Sequence, residues 1–103
     1  MTANYVLLAE AETDFRAVLR HTRKRWGEAQ ARSYAAKLKN CIERVATGHG
    51  FAKDMSSLYP GLRLMRCEHH FIFCVSRDDE TVLVVAIFHE RMDLMLRLAK
   101  RLT

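Results

Sequence analysis

Residues able to perform acid–base chemistry on a phosphodiester occur in two short stretches of the chain. The first stretch holds Arg63, Arg66 and Glu68, and the second places His89 directly after a long apolar run. Cleavage of RNA without a metal ion needs a base for the 2′-hydroxyl, cations for the charge on phosphorus and an acid for the leaving oxygen. Glu68 can act as the base, Arg63 or Arg66 as the phosphate clamp, and His89 as the acid. The residue types therefore allow a nuclease arrangement, provided that the fold brings the two stretches together.

A metal site is not expected. His69 and His70 are adjacent, and neighbouring residues of a strand point to opposite faces, so one strand cannot present both to the same ion. The three cysteines, Cys41, Cys67 and Cys74, are odd in number and lack the spacing of a metal site. We interpret them as reduced core residues of a cytoplasmic protein, and we expect no cofactor.

Length and composition limit the class of protein. The chain has 103 residues, of which 50% are hydrophobic, and a formal net charge of +5. We therefore expect one folded domain, residues 1–103, rather than a disordered chain. The basic charge suggests an acidic partner or nucleic acid. No basic-then-apolar leader is seen, and the longest apolar run is far short of the ~20 residues that span a bilayer, so we expect no membrane association.

The longest apolar run, residues 81–89, is expected to form the central strand of a sheet. Both alternating sets of its side chains are apolar: one is Val82, Val84, Ala86 and Phe88, and the other is Leu83, Val85 and Ile87. A strand with one face in water would alternate polar and apolar residues. The run is therefore predicted to be covered on both faces and to deliver the charged residues that follow it to a rigid edge.

Two helices are predicted before this strand. The first runs from about Ala9 to Gly27, a typical C-cap residue, and the second from about Glu28 to Ala46. The short link between them favours an antiparallel hairpin. The buried face of the first helix is assigned to Phe15, Val18, Leu19, His21 and Trp26, with Trp26 packing the end of the hairpin. Its basic face, formed by Arg16, Arg20, Arg23, Lys24 and Arg25, is interpreted as solvated.

Short strands and a final helix complete a predicted α+β fold. Strands are expected at residues 4–8, 62–67 and 71–75, with Arg63 and Arg66 on opposite faces. Residues 48–61 are assigned to a loop ending in a type II turn at Pro60-Gly61, and residues 78–80 to a hairpin turn. The final helix, from about Asp93 to Leu102, has an apolar side of Leu94, Met95, Leu98, Ala99 and Leu102 and a charged side of Arg97, Lys100 and Arg101. This order predicts a helical hairpin on one face of a small, mainly antiparallel sheet, followed by a short C-terminal helix.

Several motifs along this order resemble one known family. They are Tyr5 in the first strand, Arg25-Trp26-Gly27, Gln30-Ala31 with Tyr34 and Leu38, Pro60-Gly61-Leu62-Arg63, His70-Phe71-Ile72-Phe73 and Ile87-Phe88-His89-Glu90-Arg91-Met92-Asp93. In order and spacing the chain resembles the RelE/ParE superfamily of bacterial toxins, and more closely its ParE, or plasmid-stabilisation, branch. The resemblance implies the toxic component of a type II toxin–antitoxin system, held inactive in a hetero-oligomer by a ParD-like antitoxin.

The resemblance leaves two activities open. ParE-type members poison DNA gyrase and block replication, whereas RelE-type members cleave messenger RNA on the ribosome. The predicted sheet lacks Lys, no Tyr follows Tyr59, and Glu90 and Asp93 would repel RNA phosphates. Gyrase inhibition, with no catalytic residues, is therefore the favoured prediction. A ribosome-dependent endoribonuclease that uses the nuclease arrangement described above is the alternative.

The end of the central strand is the predicted contact surface. The candidate gyrase-binding residues are His89, Arg91, Met92 and Arg97, and the candidate antitoxin-binding residues are Leu94, Met95 and Leu98. An antitoxin that docks as an amphipathic segment requires an apolar groove on the toxin. The same residues also allow a structural interpretation, in which Arg91 pairs with Glu90 or Asp93, His89 caps a backbone carbonyl, and the tail folds onto the sheet. Sequence-specific DNA binding is not expected.

Overall fold

A computed structural model describes residues 5–76 and 81–102. Asn4 and the turn predicted at residues 78–80 therefore lie outside the described residues. In chain order the elements are β1 (Tyr5–Leu7), α1 (Ala9–Trp26), α2 (Glu28–Ala46), β2 (Lys53–Asp54), β3 (Leu62–Cys67), β4 (His70–Ser76), β5 (Val82–His89) and α3 (Leu94–Leu102).

The strands form one mixed sheet in the order β1-β5-β4-β3-β2. β1 runs parallel to β5, and the other neighbours are antiparallel, which confirms the predicted α+β fold. The two-residue strand β2 was not predicted, because it is defined by backbone pairing of Lys53 with Leu64 and of Asp54 with Arg63. The prediction that the sheet lacks lysine is therefore wrong. The turn before β3 agrees with type II, since Gly61 has a φ of 79° and the N–H of Leu62 donates to the carbonyl of Tyr59.

Gly27 joins the two long helices. Its φ of 98° lies in the left-handed region, and its N–H donates to the carbonyl of Arg23 at 2.9 Å, so it ends α1 as predicted. Its own carbonyl accepts the N–H of Ala31 in the first turn of α2. The helices are therefore antiparallel neighbours, and α2 buries Ala31, Leu38, Ile42 and Val45 toward the sheet.

The exposed end of α1 differs from the prediction. His21 and Trp26 lie on the surface, whereas Ala11 and Thr22 are buried. Thr22 is tolerated in the interface because its hydroxyl donates to the carbonyl of Val18, one turn earlier, at 2.8 Å. Trp26 extends beyond the contact between the helices, so the prediction that it packs the end of the hairpin is wrong.

β5 is covered on both faces, as predicted. The helical hairpin packs on one face, over a core that includes Leu38, Ile42, Ile72, Val84 and Ile87. α3 packs on the other face, where its Leu98 is buried against Leu62, Phe73, Ala86 and Phe88. The predicted alternation fails at Val85, because Phe73 pairs with Ala86 whereas Cys74 pairs with Val84. Val85 is the extra residue of a β-bulge, which places Val84 and Ala86 on opposite faces.

Arg101 fastens α3 to this bulge. Its guanidinium Nη1 donates to Asp14 Oδ2 at 2.9 Å and to the carbonyl of Val85 at 3.0 Å, and Asp14 Oδ2 also accepts the N–H of Ile87. Arg101 and Asp14 therefore satisfy backbone groups of β5 beyond the end of its pairing with β1. The assignment of Arg101 to the solvent side of the last helix is wrong, because only 16% of its side chain is exposed.

Replacement of Arg101 by Gln is expected to lower the free energy of unfolding by about 2 kcal/mol, the scale of hydrogen bonds to a charged group. Asp14 would lose its ion pair, and the carbonyl of Val85 would lose its donor. Urea denaturation measures the change. The matched control is Arg97→Gln, an exposed arginine of the same helix, which should change stability by less than ~0.5 kcal/mol. Equal effects of the two substitutions would show that the Arg101 contacts do not stabilise the fold.

The cysteine prediction is wrong for two of the three residues. Cys41 in α2 and Cys67 at the end of β3 form a disulfide with a Cα–Cα distance of 6.2 Å. Cys74 is a free thiol in the core, as predicted, and burial raises its pKa to about 11. A covalent link therefore ties the second helix to the strand that leads to the hairpin tip.

Candidate target-binding site

The end of β5 and the tip of the β3–β4 hairpin form one corner of the molecule. His70 lies opposite His89 in the sheet register, and the N–H of Glu90 donates to the carbonyl of His69 at 3.0 Å. The hairpin turns at Glu68, whose φ of 56° is left-handed, so the predicted tip at residues 68–69 is confirmed. The fold thus joins the two stretches that the sequence singled out.

Glu90 holds the exposed side of this corner together. Its carboxylate pairs with Arg66 Nη2 and lies 3.1 Å from His69 Nδ1. The hydrogen bond from His69, together with the charge of Arg66, lowers the pKa of Glu90. The guanidinium of Arg66 also lies over the ring of Phe71 at 5.4 Å. Arg66 is therefore engaged within the protein.

His70 occupies the buried side of the same corner. Its Nδ1 lies 2.6 Å from the hydroxyl of Tyr34 in α2. The same hydroxyl accepts the backbone N–H of His69 at 3.2 Å. The Tyr34 hydroxyl therefore donates to His70, whose ring is in edge contact with His89 at 5.1 Å. Burial, reinforced by the neighbouring histidines, lowers the pKa of His70 to about 4. At neutral pH His70 is an uncharged structural residue.

His89 and Arg91 begin the surface beyond the strand. His89 Nδ1 accepts the backbone N–H of Arg91 at 3.1 Å, so its role is not the predicted capping of a carbonyl. The side chain of Arg91 is exposed, and the ion pairs found among residues 5–76 and 81–102 do not include it. The structural interpretation in which Arg91 pairs with Glu90 or Asp93 is therefore not observed.

An apolar surface follows at the start of α3. Asp93 caps the helix as predicted, since its carboxylate accepts the N–H of Leu96 at 3.2 Å. We call Met92, Met95 and Leu96 the tail patch; they are 40%, 51% and 55% exposed. Met95 and Leu96 lie in the first turn of α3, and Met92 lies two residues before the helix begins, so all three are at this end of the element. Arg91 and Arg97 are exposed next to them.

The predicted antitoxin residues are divided by the way α3 packs. Leu94 is half-buried against the core under α3, and Leu98 is only 2% exposed. Of the three, Met95 is accessible while α3 is docked. Leu96 was not predicted as a contact residue, although an apolar residue outside the predicted apolar side of the helix was a usable signal. The pattern predicted one apolar side, whereas the structure shows apolar residues on both the docked and the exposed side.

The residues of the nuclease arrangement do not form one free catalytic group. Arg63 and Arg66 project to opposite faces of β3, as predicted, so they cannot clamp the same phosphate. Glu68 lies 3.8 Å from Lys37 Nζ. Arg66 is paired with Glu90, and His89 is half-buried beside His70. The corner is organised by internal contacts rather than by charges aimed at a substrate.

A concave apolar surface lies away from α3. A cavity of about 410 Å³ opens between the end of α2 and β3, with Val45, Met65 and Phe71 in its lining and Arg44 and Lys53 among its cations. No Asp or Glu is found among its lining residues within the described part of the chain. The structure thus has a concave apolar surface here, and an apolar groove for a partner stays a prediction.

None of the helices within residues 5–76 and 81–102 combines the length and hydropathy needed to cross a membrane. Within the same ranges, no group of three or more His, Cys, Asp or Glu side chains is placed to hold a metal ion.

Comparison of the sequence with known families and proteins gives consistent matches. The family described as "ParE toxin of type II toxin-antitoxin system, parDE" matches residues 5–94. The chain is 61% identical over 102 residues to "Toxin ParE" of Escherichia coli, covering 99% of this chain and 98% of that protein. It is 29% identical over 93 residues to "Toxin ParE1" of Mycobacterium tuberculosis, covering 90% and 95% of the two chains.

A solved structure has the same fold. A chain of the "Chromosomal ParDE TA system from P. aeruginosa" superposes with a TM-score of 0.69 and covers 85% of this chain and 96% of that one. The two sequences are 14% identical, so this likeness concerns the fold alone.

Proposed function

We propose that this chain, which belongs to the ParE toxin family of type II toxin–antitoxin systems, inhibits DNA gyrase and so blocks replication. A ParD-like antitoxin neutralises it in a hetero-oligomer, and both proteins act in the cytoplasm. The toxin works by binding its target, and its own residues perform no bond-breaking step.

The main support for the proposal is the exposure of the tail patch. Met92, Met95 and Leu96 expose apolar side chains on a helix start that is fixed by the Asp93 cap. Methionine adapts to irregular partner surfaces, and arginine is enriched at protein interfaces. Exposed Arg91 and Arg97 therefore complete a surface suited to binding another protein.

The arrangement of the corner supports binding over RNA cleavage. A ribonuclease requires cations that are free to meet a phosphorane, and Arg66 is paired with Glu90. Arg63 projects to the opposite face, and Glu68 pairs with Lys37. These contacts favour gyrase inhibition over the ribosome-dependent alternative.

The cavity beside α2 suits an antitoxin segment. Its apolar floor accommodates hydrophobic side chains, and the exposed Arg44 and Lys53 among its lining residues favour acidic ones. It provides the apolar and basic surface that an acidic amphipathic arm needs, and Met95 is a separate accessible contact on α3. Leu94 and Leu98 then act indirectly, by holding α3 in place.

A supercoiling assay tests the gyrase proposal. The purified chain should inhibit supercoiling and cause cleaved DNA to accumulate. The double substitution Met95→Ser/Leu96→Ser should raise the concentration for half-inhibition about tenfold, because it removes two apolar contacts from the interface. The matched control is Val6→Ser/Leu8→Ser, two exposed side chains at β1, which pairs with the start of β5 rather than with its end near the tail patch.

Two results would contradict the proposal. One is uninhibited supercoiling with the chain in large excess over gyrase. The other is equal loss of inhibition in the tail-patch and control variants. Cleavage of messenger RNA in a translation extract, with gyrase unaffected, would instead support the ribosome-dependent activity.

A further inference from the structure

The positive charge of the chain is concentrated around the end of α1. Residues 16–32 contain six Lys or Arg and one acidic residue. Their surplus of five positive charges equals the net charge of the whole chain, which is +5. The remaining residues carry equal numbers of positive and negative charges, so this segment supplies the surplus that attracts a polyanion.

Part of this charge is free to meet a ligand. Glu28, the acidic residue of the segment, is held by Arg23 and Arg32, and Arg16 pairs with Glu12. Arg20, Lys24 and Arg25 are exposed, and the ion pairs found within the described ranges do not include them. Arg20 and Lys24 are four residues apart, so they occupy the same side of α1 one turn from each other.

Trp26 gives this charged end an aromatic face. It is the single tryptophan of the chain and is 66% exposed, because α2 turns back immediately after Gly27. The guanidinium of Arg25 lies 5.4 Å from its ring centre. A large aromatic ring left in water contributes little to the core, whereas a ring beside unpaired cations can stack on a base.

We propose that the helix tip, formed by Arg20, Lys24, Arg25 and Trp26, binds single-stranded nucleic acid. An unpaired base stacks on the indole of Trp26, which Arg25 adjoins. Arg20 and Lys24 lie on the other side of α1, so they and Arg25 hold phosphates as the strand passes around the end of the helix. Sequence-tolerant binding of single strands combines a cationic track with aromatic stacking in this way. The stacking needs a base that is not paired, so a duplex lacks one of the two contacts. This binding requires no gyrase and stands apart from the function proposed above.

The fluorescence of Trp26, the single tryptophan of the chain, reports binding directly. The wild-type chain is titrated at low salt with a thymidine oligonucleotide of about 12 nucleotides, the uridine counterpart and a duplex of the same length. We expect saturable quenching of Trp26 fluorescence by both single strands, and at least fivefold weaker binding of the duplex. With about three phosphate contacts, the logarithm of affinity should fall with the logarithm of salt concentration with a slope of about −2.

Two pairs of variants separate stacking from charge. Trp26→Ser should weaken binding of a labelled oligonucleotide about tenfold, whereas Trp26→Phe should retain most of the affinity. Arg20→Gln/Lys24→Gln should weaken binding and reduce the salt slope by about 1.4. The control Lys37→Gln/Lys39→Gln removes the same charge from another exposed site, on α2, and should bind within about twofold of wild type.

Any one of the following three results would overturn the inference. Unchanged Trp26 fluorescence at saturating oligonucleotide would rule out stacking at the helix tip. Equal weakening by the two double variants would show that binding depends on the net charge of the chain and not on the position of Arg20 and Lys24. Equal binding of duplex and single strand would show that the site does not require an unpaired base. Because the assay contains no gyrase, none of these results decides whether the chain inhibits that enzyme.

Discussion

Reduction of the Cys41–Cys67 disulfide is expected to lower the free energy of unfolding by about 3 kcal/mol. The two cysteines are 26 residues apart in sequence, and closing a loop of that size restricts the unfolded chain by roughly this amount. For a domain of about 100 residues, the loss corresponds to a fall in Tm of roughly 12–24 °C. Thermal unfolding of the oxidised chain, with and without a phosphine reductant, measures the difference.

The control for this prediction is the double variant Cys41→Ser/Cys67→Ser. It should have the stability of the reduced wild type and should not respond to reductant. Thiol labelling in denaturant provides a second readout, with one reactive thiol, Cys74, in the oxidised chain and three after reduction. Three reactive thiols in the chain purified under oxidising conditions would show that the disulfide does not form.

The disulfide could not be predicted from the sequence. Three cysteines with no characteristic spacing are equally consistent with core thiols, and the usual compartment argument favours that interpretation. Only the packing of α2 on β3 brings Cys41 and Cys67 together. In the reducing cytoplasm proposed for this chain, the link would be opened, and the less stable reduced form would then predominate.

The parts of the fold that were predicted correctly are those specified by local pattern. The apolar stripe of α2, the stop at Gly27 and the doubly covered β5 each follow from residue type and spacing. The errors concern features that depend on tertiary partners. The bulge at Val85 is visible only in the register with β4, and Arg101 faces inward because Asp14 is there to receive it.

At the candidate site, too, the features specified by local pattern were predicted, and those that depend on tertiary partners were not. The sequence identified the charged residues at the end of β5 and the hairpin tip, and the fold joins them. It could not show that Glu90 binds Arg66 and His69, because these partners come from different strands. Trp26 was misassigned because an apolar residue at helical spacing usually faces the core, and the helix extends beyond its packing partner at this point.

Acidification is expected to destabilise the fold through His70. Its pKa of about 4 in the folded protein lies below the ordinary value of 6.5, so the unfolded chain takes up a proton first as the pH falls. The stabilisation is complete above about pH 6.5 and is lost progressively down to about pH 4. The difference in pKa corresponds to roughly 3 kcal/mol, with a slope near 1.4 kcal/mol per pH unit inside the window.

His70→Gln isolates this contribution, because the amide oxygen of Gln can still accept the hydroxyl of Tyr34. Urea denaturation between pH 6.5 and 5 should give a shallower pH dependence for this variant than for wild type. His49→Gln, at an exposed position, should leave the dependence unchanged. The Glu90 carboxylate favours protonation of His70, whereas burial and the adjacent His89 ring oppose it. A wild-type slope retained in His70→Gln would mean that these opposing effects cancel and that the buried histidine is not the source of the acid sensitivity.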